Sequence, residues 1–226
     1  MAFFDKIFKK SKNNEELNKT TTIKIYDEEI TSNRIIIFLV PNKTYQVELL
    51  HITKSAADKF GRVLYISLNK PAESIIKILK EIDIDTEKFL FIDAVNKKVK
   101  SEIAYHNTVL INSPENFKKF SIELNRTLEK EKFECVIFDS LSTMLLYQDA
   151  YVVTRFTHDL IAKLMIANVN GEFICLSEDI NSVLLKDISM FADKVIDLDK
   201  EKSDIAHLEF QNYGEMSKLK NELETH

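Results

Sequence analysis

Seven short, uninterrupted apolar runs constrain the fold of this 226-residue chain more than any other feature. Each run is rich in β-branched or aromatic residues and is shorter than a typical helix. They begin at residues 33, 61, 88, 108, 133, 171 and 193, and read NRIIIFLV, GRVLYISL, KFLFIDAV, TVLINS, FECVIFDS, GEFICLS and DKVIDLD. Runs of this kind predict strands that are buried on both faces, as in a parallel sheet.

Helical patterns separate most of these strands. We predict helices over residues 44–60, 72–81, 114–132, 149–170 and 181–191, the third with Ser113 as its N-cap and Pro114 as its first residue. Asn170 and Gly171 are expected to supply the left-handed residue that ends the fourth helix. The alternation predicts an α/β fold with a mainly parallel central sheet between two helical layers. Residues 205–210 are predicted to add an edge strand, and residues 215–224 a polar helix or tail.

Composition excludes several classes of protein. Three Gly and three Pro are too few for a β-sandwich or propeller, which needs many turns. The net charge of −5 does not favour nucleic acid as a partner. Cys135 and Cys175 lie inside apolar runs, as buried reduced thiols do. No apolar stretch approaches the ~20 residues that span a bilayer, and no secretory signal is recognisable, so we expect a cytoplasmic protein.

Two segments carry the candidate chemistry, since parallel α/β sheets place ligands at the carboxyl ends of their strands. The first strand is followed by Pro41, Asn42, Lys43 and Thr44, and the fifth ends at Asp139 and Ser140. A Lys-Thr pair that opens a helix, together with an Asp that ends a later strand, is typical of a phosphate-binding loop and its magnesium-holding carboxylate.

On these segments the chain resembles archaeal KaiC-like domains of the RecA superfamily, over about residues 33–198. The resemblance rests on IIIFLVPNKT, GRVLYISLNKP, FIDAV and VIFDSLSTML. It implies a RecA-like, three-layer fold that binds ATP with magnesium and often assembles into rings or filaments. It also implies a nucleotide site of Asn42, Lys43, Thr44, Asp139 and Ser140, with Thr44 and Asp139 as the magnesium ligands.

The phosphate loop departs from the family pattern. Ile37 and Asn42 stand where the family has glycines, which permit positive φ and close approach of the backbone to phosphate. A branched residue in a left-handed conformation costs about 1–2 kcal/mol. The first strand also extends to Pro41, so little loop is left to wrap a phosphate. We therefore expect a vestigial nucleotide site and no resident cofactor, or ATP with magnesium where that site still binds.

The segment after the second strand also departs from the family pattern. Active members that resemble this chain carry a glutamate there to activate water, whereas this chain reads Asn69, Lys70 and Pro71. Loss of a general base typically removes a factor of roughly 10²–10⁴ in rate. We assign no catalytic residue and predict a pseudo-ATPase that works in regulation, signalling or scaffolding through protein partners or as a homo-oligomer.

Two alternatives stay open. The chain could be an ATP-binding switch or assembly protein with little or no hydrolysis. Equally, Lys43 and Thr44 could form an ordinary strand-to-helix turn in which Asn42 or Thr44 caps the helix, and Asp139 could cap the segment that follows it.

The first dozen residues, Met1 to Lys12, form a separate amphipathic pattern. Met1, Phe4, Ile7 and Phe8 fall on one helical face with Phe3 beside them, and four lysines lie toward the other side. Such segments dock on anionic membranes or on partner proteins, with packing on the domain itself as the alternative. We predict this segment and a polar tether over residues 1–22, a RecA-like domain over 23–212, and a terminal helix or tail over 213–226.

Overall fold

A parallel sheet lies at the centre of the computed structural model, which describes residues 26–95, 107–111, 117–179 and 182–200. Its strands are β1 Ile35–Val40, β2 Val63–Ser67, β3 Phe89–Asp93, β4 Thr108–Leu110, β5 Cys135–Asp139, β6 Asn170–Leu176 and β7 Lys194–Asp197. They lie in the order β4-β3-β2-β5-β6-β1-β7, and all neighbouring pairs are parallel. The runs that begin at residues 33 and 133 thus form interior strands, as predicted.

Helices cover both faces of this sheet. They are α1 (residues 26–32), α2 Tyr45–Lys59, α3 Ala72–Glu81, α4 Phe117–Lys130, α5 Leu141–Met144, α6 Ala150–Ala167 and α7 Val183–Ser189. Apolar residues of α1, α2 and α3 pack in one core cluster, and those of α4, α5, α6 and α7 pack in another on the opposite face. This arrangement confirms the predicted three-layer α/β fold.

Both faces of strand β1 are buried, which explains why its sequence does not alternate between apolar and polar residues. All six of its residues are at most 1% exposed. Ile35, Ile37 and Leu39 join the cluster under α4, α6 and α7, whereas Ile36, Phe38 and Val40 join the cluster under α1, α2 and α3. A strand covered by helices on both faces requires apolar residues at every position.

The end of α6 differs from the prediction. The helix ends at Ala167, and Asn168 adopts the left-handed conformation with φ 58°. Asn170 and Gly171, which we expected at this cap, are instead the first residues of β6. Asn enters the left-handed region more readily than most other residues with a Cβ, because its short polar side chain can hydrogen-bond locally. The helix therefore stops three residues before its predicted end.

Several predictions concern residues outside the described ranges. They are the amphipathic segment and tether at 1–22, the cap at Ser113 and Pro114, the strand at 205–210, the helix at 215–224, and the limits at 22/23 and 212/213. Within the described ranges, no helix combines the length and apolar character needed to cross a bilayer.

Gly171 allows α6 and β1 to pack closely against β6. A Cβ at this position would lie 2.9 Å from Leu164 Cδ1, 2.9 Å from Phe173 Cε2 and 3.2 Å from Ile35 Cδ1. All three neighbours are buried core side chains. We expect Gly171→Ala to lower the free energy of unfolding by about 1–3 kcal/mol, because overpacked cores must shift their side chains or backbone.

Urea denaturation followed by circular dichroism measures this loss, with Gly61→Ala as the matched control. The Cβ of the control would meet Glu134 Oε1 at 3.1 Å, at the flexible end of an exposed side chain. An equal loss in the two variants would contradict the packing argument.

Glu172 is a carboxylic acid buried in the middle of β6. Its side chain is 1% exposed, and Cys135 Sγ donates to its Oε1 at 3.5 Å. Its Oε2 has no hydrogen-bond partner among the described residues. Burial raises the pKa of Glu172 from 4.5 to about 8, against smaller opposite effects of the Cys135 hydrogen bond and the Lys59 charge. The carboxyl is therefore mostly protonated at neutral pH.

Replacing this carboxyl with an amide should stabilise the protein increasingly as pH rises. The folded state holds the Glu172 proton more tightly than the unfolded state, so its contribution to stability is complete below pH 4.5 and is lost as pH rises toward about 8. We expect the difference in unfolding free energy between Glu172→Gln and wild type to grow by at most about 1.4 kcal/mol per pH unit in that window. Urea titrations at pH 5, 6, 7 and 8 test this, with exposed Glu81→Gln as the control; parallel curves for wild type and Glu172→Gln would refute it.

Candidate functional site

Three segments meet at the carboxyl edge of the sheet. They are the turn between β1 and α2, the residues that follow β2, and the end of β5. The backbone already joins two of them, because the Leu68 N–H donates to the Asp139 carbonyl at 2.7 Å. This edge holds all the residues that the sequence nominated for a nucleotide site.

The turn between β1 and α2 is tight. Its four residues, 41–44, leave the strand at Pro41, and the Thr44 N–H donates to the Pro41 carbonyl at 3.1 Å. The side chains of Asn42, Lys43 and Thr44 are exposed, and that of Thr44 makes no cap hydrogen bond. Lys43 makes no hydrogen bond or ion pair with any described residue. The turn thus projects its polar side chains into solvent.

A carboxylate faces the backbone of this turn. Glu178 Oε1 accepts a hydrogen bond from the Asn42 N–H at 3.4 Å. A phosphate-binding loop offers such N–H groups to the anionic ligand. Here an N–H of the turn is directed toward an anion that belongs to the protein.

Asp139, at the end of β5, is the centre of a buried hydrogen-bond network. Its side chain is 1% exposed. Tyr45 Oη donates to Oδ1, Tyr65 Oη donates to Oδ2 at 3.0 Å, and Asn69 Nδ2 also donates to Oδ1. Asn69 Nδ2 lies 3.1 Å from Tyr45 Oη as well. One carboxylate therefore links the start of α2, the middle of β2 and the loop after β2.

Ser140 and Thr143 extend this network. Ser140 Oγ caps α5 by accepting from the Thr143 N–H at 3.1 Å, and it lies 2.9 Å from Thr143 Oγ1. Thr143 Oγ1 donates to Asn69 Oδ1. Asn69 is thereby held at both ends of its amide. The Asp139–Ser140 peptide bond between the two acceptors is cis.

Burial sets the protonation of these groups. It raises the pKa of Asp139 above 3.8, whereas the hydrogen bonds from Tyr45, Asn69 and Tyr65 and the charge of Lys70 act in the opposite direction. Burial, together with the charge of Asp139, raises the pKa of Tyr45 and of Tyr65 well above 10. Both phenols therefore keep their protons and act as hydrogen-bond donors.

As arranged, these residues do not fit a magnesium ion. Magnesium requires oxygen lone pairs in nearly ideal octahedral geometry. Three O–H or N–H groups instead point their protons at the oxygens of Asp139. Thr44, the other ligand that the resemblance implies, has an exposed side chain outside this network. Elsewhere in the described ranges, no group of three or more His, Cys, Asp or Glu side chains could hold a metal ion.

The structure brings together only some of the nominated residues. Asp139 and Ser140 lie in the network, whereas the side chains of Asn42, Lys43 and Thr44 lie on the surface of the turn. Sequence reasoning missed Tyr45, Tyr65 and Thr143, and it noted Asn69 only as a missing base. One signal was available, since Tyr45 directly follows the Lys-Thr pair and begins the helix that faces Asp139.

Comparison with known proteins agrees with this architecture. The model of the KaiC ATPase family matches residues 49–218 of the chain. A solved structure of a KaiC-like protein from the hyperthermophilic archaeon Pyrococcus horikoshii superposes with a TM-score of 0.51 at 14% identity, over 72% of this chain and 69% of that chain. At this identity the structural likeness concerns the fold alone. No curated protein matches the chain. These matches confirm the predicted resemblance to KaiC-like domains of the RecA superfamily.

Removing one hydroxyl from the network should destabilise the fold. We expect Tyr45→Phe to lower the free energy of unfolding by about 1–3 kcal/mol, because a buried carboxylate loses a donor that water cannot replace. Chemical denaturation measures the change. Tyr151→Phe, at a tyrosine that is 76% exposed, serves as the control and should shift stability by less than about 0.5 kcal/mol. A Tyr45→Phe variant as stable as the control would show that the network contributes little.

Proposed function

We propose that this chain, which belongs to the KaiC ATPase family, acts through contacts with other proteins and does not hydrolyse ATP. The observation that carries the proposal is the occupied carboxylate of Asp139. Tyr45, Tyr65 and Asn69 donate hydrogen bonds to this carboxylate from inside the protein. The family resemblance would assign the same carboxylate to magnesium binding. Freeing it for a metal ion would cost those hydrogen bonds.

The turn after β1 supports the same proposal. Ile37 lies in the middle of β1 and is fully buried, so it is part of the sheet and not of a loop. The Asn42 N–H is directed toward Glu178, whose negative charge would repel an incoming phosphate. The family match also begins at residue 49, after the turn.

The loop after β2 supports the absence of hydrolysis. Asn69 is already bonded to Asp139 and Thr143, and an amide cannot take a proton from water. The next carboxylate along the chain is Glu73, which is exposed within the first turn of α3. A positioned general base is worth roughly 10²–10⁴ in rate.

Exposed apolar side chains support protein contacts. Leu146, just beyond α5, and Tyr151, in the first turn of α6, are 79% and 76% exposed. Large apolar side chains on a surface are typical of interaction sites where they form a patch. The partner can be another protein or a second copy of this chain.

One observation favours the alternative, ATP binding without hydrolysis. Lys43 is exposed, and its ammonium group is not engaged by any described residue. Such a lysine can reach a phosphate as a point charge even where the backbone cradle is poor. In this alternative the nucleotide would switch conformation or assembly.

Two measurements on the full chain separate these functions. We expect no ATP turnover above a heat-inactivated control, and no heat of ATP–magnesium binding in isothermal titration calorimetry. Binding heat that disappears in Lys43→Ala, without turnover, would favour the nucleotide switch. Hydrolysis that disappears in Lys43→Ala would contradict both.

A further inference from the structure

An apolar groove lies between α4 and α6, on the face of the sheet opposite α2 and α3. One part has a volume of about 560 Å³, and its apolar lining consists of Leu128, Phe133, Leu164, Ala167 and Val169. A second part of about 390 Å³ adjoins it, because both parts include Asn125 and Lys163. Ligand pockets typically have volumes of about 300–1,000 Å³, so each part has room for several side chains of a partner.

We propose that residues 1–12 of the same chain bind in this groove as an amphipathic helix. Phe4, Ile7 and Phe8 have the spacing with which a helix presents anchors to a groove, and Phe3 lies beside them. The groove offers apolar walls from two helices, which matches a row of large apolar anchors. This occupant accounts within one chain for both an amphipathic segment and a groove that the described residues leave uncovered.

The chain is long enough for this contact. Residues 13–25 connect the segment to the start of α1 and can span about 43 Å when extended. Helix α1, residues 26–32, rises only about 10 Å. It is followed by Asn33, whose carbonyl accepts from Asn170 Nδ2 at 3.1 Å. Asn170 is the neighbour of Val169, which lines the groove, so the extended tether is longer than this path.

Charges on the rim can orient the segment. Glu129 lines the larger part and Asp159 the smaller part, and both are opposite in charge to the lysines of the segment. Lys132 lines the larger part and Arg155 the smaller part, and both are opposite in charge to Asp5. Charged residues of both signs around a binding groove determine the register of the bound segment more than its affinity. The apolar anchors are therefore expected to carry the binding.

Tethering favours this groove over a lipid surface. A short flexible linker holds its segment at an effective concentration of about 1 mM or more near a site on the same molecule. A single short amphipathic segment binds anionic lipid only weakly unless a second anchoring signal assists it. A membrane is accordingly the competing destination that the experiment must distinguish.

Photo-crosslinking of the full chain tests the proposal directly. With p-benzoylphenylalanine in place of Phe8, we expect intramolecular crosslinks to α4 and α6, located by mass spectrometry of tryptic peptides. Ala167→Trp, which fills the larger part of the groove, should lower that crosslink yield at least fivefold. Ile166→Trp is the matched control, because Ile166 is 88% exposed on the same helix and does not line the groove; its yield should be unchanged.

Flotation with phosphatidylserine vesicles gives a second reading. We expect wild type to stay with the soluble fraction and Ala167→Trp, whose segment is displaced, to float at least twice as much. Circular dichroism verifies that the variant is folded, and Ala167→Phe repeats the test with a smaller side chain where it is not. Crosslinks to other parts of the chain or between two chains, a yield that Ala167→Trp leaves intact, or equal flotation of wild type and variant would each overturn the proposal.

Discussion

The hydrogen bonds to the Asp139 carboxylate hold together the elements that define this protein. Tyr45 brings the start of α2 to the end of β5, although β6 lies between β5 and β1 in the sheet. Tyr65 and Asn69 bring in β2 and the loop that follows it. The Asp139 carboxyl is 1% exposed, and burying it is costly without hydrogen bonds from the protein. The positions of these elements therefore depend on one another.

Glu172 is a second buried carboxyl group in the same sheet, and it has fewer hydrogen-bond donors than Asp139. Both carboxyls lie on the face covered by α2 and α3, and burial raises the pKa of each. Asp139 accepts hydrogen bonds from two phenols and an amide, which favour its ionised form. Among the described residues, only the Cys135 thiol donates to Glu172, at 3.5 Å, and burial raises the pKa of Glu172 to about 8. Hydrogen-bond donors thus oppose the effect of burial on the pKa of Asp139 more strongly than the single thiol does at Glu172.

The sequence predicted the sheet much better than the site. Strands buried on both faces leave a continuous apolar signal in a short window, and the runs around Ile37 and Ile137 were therefore recognisable one by one. The end of α6 was misplaced because Asn168 and Asn170 are equally plausible caps from local preference. The contact between Tyr45 and Asp139 joins residues 94 positions apart, and no local pattern in either segment announces it. Family resemblance nominated Asp139 as a magnesium ligand, but it could not say that two tyrosines would donate hydrogen bonds to it.

The long sequence separation of this network also bears on how the protein folds. Without α2, which covers this face of the sheet, Asp139 would meet water in place of Tyr45, so the tyrosine hydrogen bond forms only when α2 packs on the sheet. Contacts this distant along the chain form late, since the loops between them must close first. The network therefore gives its full stabilisation only after α2, β2 and β5 have all assembled. The carboxylate makes assembly of these segments cooperative, and it does so whether or not the protein ever meets a nucleotide.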